Sequence, residues 1–144
     1  MLERILVPTD GTEASERAVE WAMNLAADEG AEVVGLYVNN VSDIIPAASS
    51  PEPPEEVSSA VEREGSDALS RLESIAPDGV TVSTEMREGN PAREIVTHAE
   101  ESGVDAVVMA RKGTSLLANL GSNTSDVVRS SGVPIIVVPA GDED

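Results

Sequence analysis

Ala106-Val107-Val108-Met109-Ala110-Arg111-Lys112-Gly113 is an apolar run that ends in two adjacent cations and a glycine. Gly121-Ser122-Asn123 follows, and Thr124 to Ser131 has the character of a helix. Strand, glycine loop, helix is the layout that presents backbone N–H groups to a phosphate or another anion. Lys112 is the only lysine in a chain of 144 residues with a formal net charge of −18. Arg111 and Lys112 therefore supply positive field where the rest of the chain supplies negative.

The same plan recurs on both sides of this unit. Ile5 to Val7 is a short apolar strand closed by Pro8 and the turn cluster Thr9-Asp10-Gly11. Thr12 or Ser15 can cap the helix that follows, with Glu13 and Glu16 in its first turn. Ala14, Ala18, Trp21 or Ala22, and Leu25 recur at helical spacing, Trp21 being expected to pack the helix onto the sheet, and Gly30 ends it. Glu32 to Val38 reads as the second strand. Val41 to Glu56 holds four prolines and several serines and reads as a mobile loop (residues 42–56) above the strand ends. A helix is expected over Val57–Ile75, and a half-exposed, alternating strand over Val80–Glu85. Asn90-Pro91 opens a helix that runs to Ser102 and stops at Gly103. Ala106–Met109 and Pro134–Val138 are the last strands.

Strands alternating with helices, with near-continuous Val/Ile runs in the first, fourth and fifth strands, mean a parallel sheet covered on both faces. Right-handed crossovers make it an open, doubly wound α/β fold. Ligands of such folds bind outside the C-terminal strand ends, at the switch point. Pro8, Thr9, Asp10, Val38 and Ala110 to Gly113 all lie there, so one pocket can collect them.

Composition narrows the chemistry. No cysteine is present and His98 is the only histidine, which excludes disulfides, thiol catalysis and metal sites of thiolate or histidine type. With 27 acidic against 9 basic residues the surface repels nucleic acid and anionic membranes. Since 40% of residues are apolar and fall in periodic runs, the acidity reads as adaptation to high salt rather than disorder. No stretch approaches a membrane span, and the N-terminus runs directly into a strand without signal-peptide character, an expectation of a cytoplasmic protein. Residues 1–144 read as a single domain with an acidic tail at 140–144.

Taken together, Ile5-Leu6-Val7-Pro8-Thr9-Asp10, Glu88-Gly89-Asn90-Pro91 with Glu94-Ile95-Val96, Gly103 through Ala110, and Val133 through Val138 resemble the universal stress protein family. The resemblance runs in order over nearly the whole chain. It implies an adenine-nucleotide alpha hydrolase-like fold of five parallel strands in the order 3-2-1-4-5 with about four helices. It further implies a homodimer joined through the last strand, Ile135, Ile136, Val137 and Val138, an uncharged edge open to pairing. Members that bind ATP carry a loop of glycine, two residues, glycine, nine residues, glycine and a hydroxyl residue. By position this makes Asp10, Val38, Gly113, Gly121 and Ser122 the nucleotide contacts, with Asn123 an added donor and Mg²⁺ accompanying the phosphates. The chain departs from that loop in two places. Ala110 replaces the first glycine, and seven residues rather than nine separate Gly113 from Gly121. Arg111 and Lys112 offset this by direct charge.

Two functions therefore stand: a dimeric stress-response binding protein regulated by ATP or a related nucleotide, and a dimeric interaction protein of the same family that binds none. Asp10-Gly11 as a plain turn, and Gly113 and Gly121 as a tight connection, are the structural alternatives. An enzyme is the weaker reading, with slow ATP hydrolysis as its limit, since no G-x-S-x-G elbow or serine–histidine pairing is present. His98, flanked by Glu94 and Glu101 at helical spacing, reads as a helix-surface residue.

Overall fold

The computed structural model describes residues 2–39, 55–111 and 126–139. Five parallel strands form one sheet: β1 (Arg4–Pro8), β2 (Glu32–Asn39), β3 (Val82–Glu88), β4 (Ala106–Ala110) and β5 (Ile135–Val138). Their order is β3-β2-β1-β4-β5, as expected. Helices α1 (Glu13–Glu29), α2 (Glu55–Ser74) and α3 (Pro91–Ser102) connect the first four strands, and a helical segment at 126–130, α4, precedes β5. The loop expected before α2, the 112–125 connection and the 140–144 tail lie outside the described residues, save that α2 starts at Glu55 and so takes in the loop's last two positions.

Local signals fix the helix ends. Thr12 caps α1 by accepting from Ser15 N–H, and Asn90 caps α3 by accepting from Arg93 N–H, with Pro91 at the first helical position. Gly30 and Gly103 close the two helices in the left-handed conformation.

The sheet divides the core in two. On one face Ile5, Val7, Val33, Val108 and Val138 meet α1 and Leu72 of α2. On the other, Leu6, Val34, Leu36, Val107 and Met109 meet Ala92, Ile95 and Ala99 of α3 and Val127 of α4. With almost no aromatics to fill space, α1 presents the small stripe Ala14, Ala18, Ala22 and Ala26 to the sheet. Trp21, one position off that stripe, is 55% exposed, against the expectation that it packs inward. An alanine-lined contact has no room for an indole.

The tightest packing lies at two glycines. A Cβ on Gly35 of β2 would come within 2.7 Å of Leu72 Cδ1, and one on Gly65 of α2 within 2.5 Å of the Tyr37 ring. Leu72 and Tyr37 thus occupy notches that only glycine leaves open. Around Tyr37, Val61, Ala68, Leu69 and Met86 form a third, smaller cluster.

β3 runs three residues further than the sequence pattern suggests, because its pairing with β2 continues to Asn39↔Glu88. Glu85, Arg87 and Glu88 on this outer strand blunt one edge of the sheet. The β5 edge carries no charge, and Val137 there is 39% exposed.

Candidate functional site

The site is built where β1 and β4 part. Their register pairs are Ile5↔Ala106 and Leu6↔Val107. Beyond these, β1 keeps bonding outward, with Thr9 N–H donating to Leu36 C=O at 2.8 Å. β4 bonds the other way, with Arg111 N–H donating to Val138 C=O at 2.8 Å. α1, which follows β1, and Val127 of α4, which follows β4, pack on opposite faces of the sheet, so the ends of these neighbouring strands form the switch point at which ligands of such folds bind.

Asp10 stands just past the C-terminal end of β1 in a hydrogen-bonded turn. Its Oδ1 accepts from Thr12 N–H at 3.0 Å and from Thr12 Oγ1 at 2.6 Å. Ser15 Oγ donates to Thr12 C=O at 3.0 Å, accepts from Asp10 N–H at 3.3 Å and lies 3.1 Å from Thr9 Oγ1. Thr9 and Ser15 are buried, so the network orders the turn from below. Gly11, at φ +82°, supplies the bend. Asp10 Oδ2 is different: it is buried and has no hydrogen-bond partner among the described residues. An acceptor withheld from water without a donor costs folding free energy, and such an atom is one a ligand's donor would satisfy.

Near it, buried Tyr37 and half-buried Val38 lie toward the C-terminal end of β2. The Tyr37 phenol is pushed up to about 12, first by burial and then by the carboxylates of Glu64 and Asp10. Tyr37 thus remains a neutral donor and acceptor at any ordinary pH. Val38 is half-buried against the α3 face of the sheet. Ala110 is buried and paired with Val138, and Arg111 is exposed. A shallow hollow of about 280 Å³ lies beside the turn, lined by Gly11 and by Ala60, Arg63, Glu64, Asp67 and Arg71 of α2.

The predicted Pro8, Thr9, Asp10, Val38, Ala110 and Arg111 therefore all lie at the C-terminal end of the sheet. Lys112, Gly113, Gly121, Ser122 and Asn123 fall outside the described residues. Tyr37, Ser15 and Arg71 join the site without having been expected there. Ser15 carried a signal as a helix cap, and Tyr37 as the residue before Val38. Arg71 carried none, since it reaches Gly11 only through the packing of α2. Among the described residues no group of three or more histidines and carboxylates is placed to hold a metal ion.

His98 corrects another expectation. It is 6% exposed, with Nε2 3.3 Å from Ser102 Oγ, a serine–histidine contact the sequence did not lead one to expect, and Nδ1 buried without a partner among the described residues. The carboxylates that made it look like surface are bridged by one residue of β3: Arg87 lies 3.6 Å from Glu94 and 3.1 Å from Glu101. Burial, and then the Arg87 guanidinium, holds the imidazole below its ordinary 6.5.

Known proteins resemble this chain in sequence and in fold. A family model described as universal stress protein family matches residues 1–139. Universal stress protein MJ0531 of Methanocaldococcus jannaschii is 37% identical over 143 residues, covering 96% of this chain and 82% of its own. Universal stress protein YxiE of Bacillus subtilis is 32% identical over 147 residues, covering 96% and 99%. The solved structure of MJ0577, also from M. jannaschii, superimposes with a TM-score of 0.82 at 29% identity over 99% of both chains. Two more distant structures share the fold: a universal stress protein in complex with cAMP, TM-score 0.68 at 22% identity over 97% and 98%, and an Arabidopsis thaliana member with AMP bound, TM-score 0.72 at 16% over 98% and 94%. With the match spanning all five strands of the sheet, from Arg4 through Val138, the chain belongs to the universal stress protein family.

Proposed function

We propose that this protein is a dimeric, cytoplasmic stress-response regulator that binds ATP or a related adenine nucleotide at the switch point between β1 and β4. The observation that carries the reading is Asp10 Oδ2, a buried acceptor without a donor among the described residues, just past the C-terminal end of β1. A ribose hydroxyl is a donor of the right kind, and a hydrogen bond to a carboxylate is among the stronger ones available. Val38 borders the base. Ala110 and Arg111 lead the chain from β4 toward Lys112, Gly113, Gly121, Ser122 and Asn123, which take the phosphates. That two proteins of this fold hold cAMP and AMP supports an adenine nucleotide as the ligand class.

Binding is regulatory in this reading. The described residues contain no histidine at the site and no metal cluster to activate a water. The nucleotide instead biases which conformation, and so which partner, the dimer favours. Dimerisation proceeds through the uncharged β5 edge, where Val137 and, on α4, Val128 are 39% and 49% exposed. The acidic surface suits concentrated salt.

Asp10→Asn tests the site. It keeps an acceptor for Thr12 and loses the charge, so the fold should hold while ATP affinity falls roughly tenfold or more, the scale of a charged hydrogen bond. Unchanged affinity, measured by equilibrium dialysis, would remove Asp10 from the site.

A further inference from the structure

We infer that Arg71 is a positioning residue for the nucleoside subsite, acting on the ligand by holding the Asp10–Gly11 turn. The inference rests on the nucleotide reading above. Arg71 comes from the last part of α2, 60 residues after Gly11, yet its Nη2 donates to Gly11 C=O at 3.4 Å. The same guanidinium donates through Nε to Glu16 Oε2 at 2.6 Å. Gly11 and Glu16 flank Thr12, the residue that holds Asp10 Oδ1. One planar fork therefore grips the turn on both sides of the cap.

The chemistry needs arginine. Two acceptors at different angles are met by two donors in fixed geometry, which an ammonium on a flexible stem does not reproduce. The fit is also close: a Cβ on Gly11 would lie 3.3 Å from Arg71 Nη2 and 3.6 Å from Ala68 Cβ. Both partners of the ion pair are about half exposed, at 51% and 42%. Such a pair adds little to global stability. Its consequence is local: it selects one conformation of a turn that glycine, at φ +82°, leaves free to adopt others. A ligand that needs Asp10 in that conformation binds more weakly as its population falls.

The test is a double-mutant cycle with an independent readout. Arg71→Ala should weaken ATP binding about fivefold if the competent turn falls to about one-fifth of the population, with the melting temperature little changed. In an Asp10→Asn background the same substitution should weaken binding less than twofold, because the group it positions is already altered. Arg71→Lys should not restore affinity. Hydrogen exchange reports the turn without any ligand: the Thr12 amide, which donates to Asp10 Oδ1, should exchange faster in Arg71→Ala while amides in the middle of α1 do not. Additive losses in the cycle, or unchanged Thr12 exchange, overturn the inference. Absence of ATP binding by the wild type overturns the nucleotide reading instead, and Thr12 exchange then still decides whether Arg71 holds the turn.

Discussion

Gly65→Ala sets two large effects against each other. Residue 65 lies in the interior of α2, where alanine is favoured over glycine by about 1 kcal/mol. Its Cβ, however, would lie 2.5 Å from Tyr37 Cδ2, 2.7 Å from Cε2 and 2.8 Å from Met86 Cε. Carbon atoms sit comfortably at about 3.5 Å or more, so the ring has to retreat by about 1 Å. The Met86 methyl can swing aside, but the ring is stiff and hemmed in by Val61, Ala68 and Leu69, with Tyr37 only 5% exposed. Overpacking of this kind costs about 1–3 kcal/mol. The net expectation is a loss of about 1 kcal/mol, seen as a melting temperature lower by roughly 3 °C for a chain of this size. Thermal and urea denaturation in concentrated KCl measure it. Combining Gly65→Ala with Tyr37→Leu removes the ring, and the helix gain should then reappear as a coupling of about 1 kcal/mol or more between the two sites. A Gly65→Ala variant more stable than wild type would refute the packing described around Tyr37.

Three further outcomes follow from the structure. His98 is held below its ordinary 6.5, so the unfolded chain takes up its proton first; its contribution is complete above about pH 6.5 and declines as pH falls from there toward the folded value. Urea midpoints at pH 7.5 and 5.5 should therefore differ more for wild type than for His98→Leu, and equal differences would place the imidazole in solvent. Trp21, the sole tryptophan, is 55% exposed, so native fluorescence should be red-shifted and quenched by iodide; blue-shifted, unquenched emission would show that another surface covers it. Raising KCl from about 0.1 M to 1 M shortens the screening length from about 10 Å to 3 Å and should raise the melting temperature of a chain of charge −18; equal stability in both would argue against adaptation to salt.

What was legible in the sequence is what short-range chemistry determines. Thr12, Asn90, Gly30 and Gly103 mark helix ends because caps involve neighbours three or four residues away. The Val/Ile runs of β1 and β4 mark strands buried on both faces, whereas the run in β5 leaves Val137 exposed at the sheet edge; the alternation of strands with helices is enough for the parallel sheet. Trp21 was misjudged because periodicity allowed either Trp21 or Ala22 to face inward, and only the alanine stripe of the assembled contact decides between them. His98 looked like surface because its neighbours at helical spacing are acidic, and Arg87 neutralises them from a different element. Asp10 was readable from its place after β1. That its Oδ2 lacks a partner among the described residues was not, since that depends on Thr12 taking only Oδ1. Arg71 reaches Gly11 across 60 residues of chain, a relation that no local pattern encodes.

The most direct measurement is a calorimetric titration of ATP with Mg²⁺ into the purified wild-type protein in concentrated KCl. Saturable binding near one nucleotide per chain is the expected result, and it would make the shortened loop between Gly113 and Gly121 a working phosphate site. No heat and no change in melting temperature would contradict the proposal and favour a family member that binds no nucleotide.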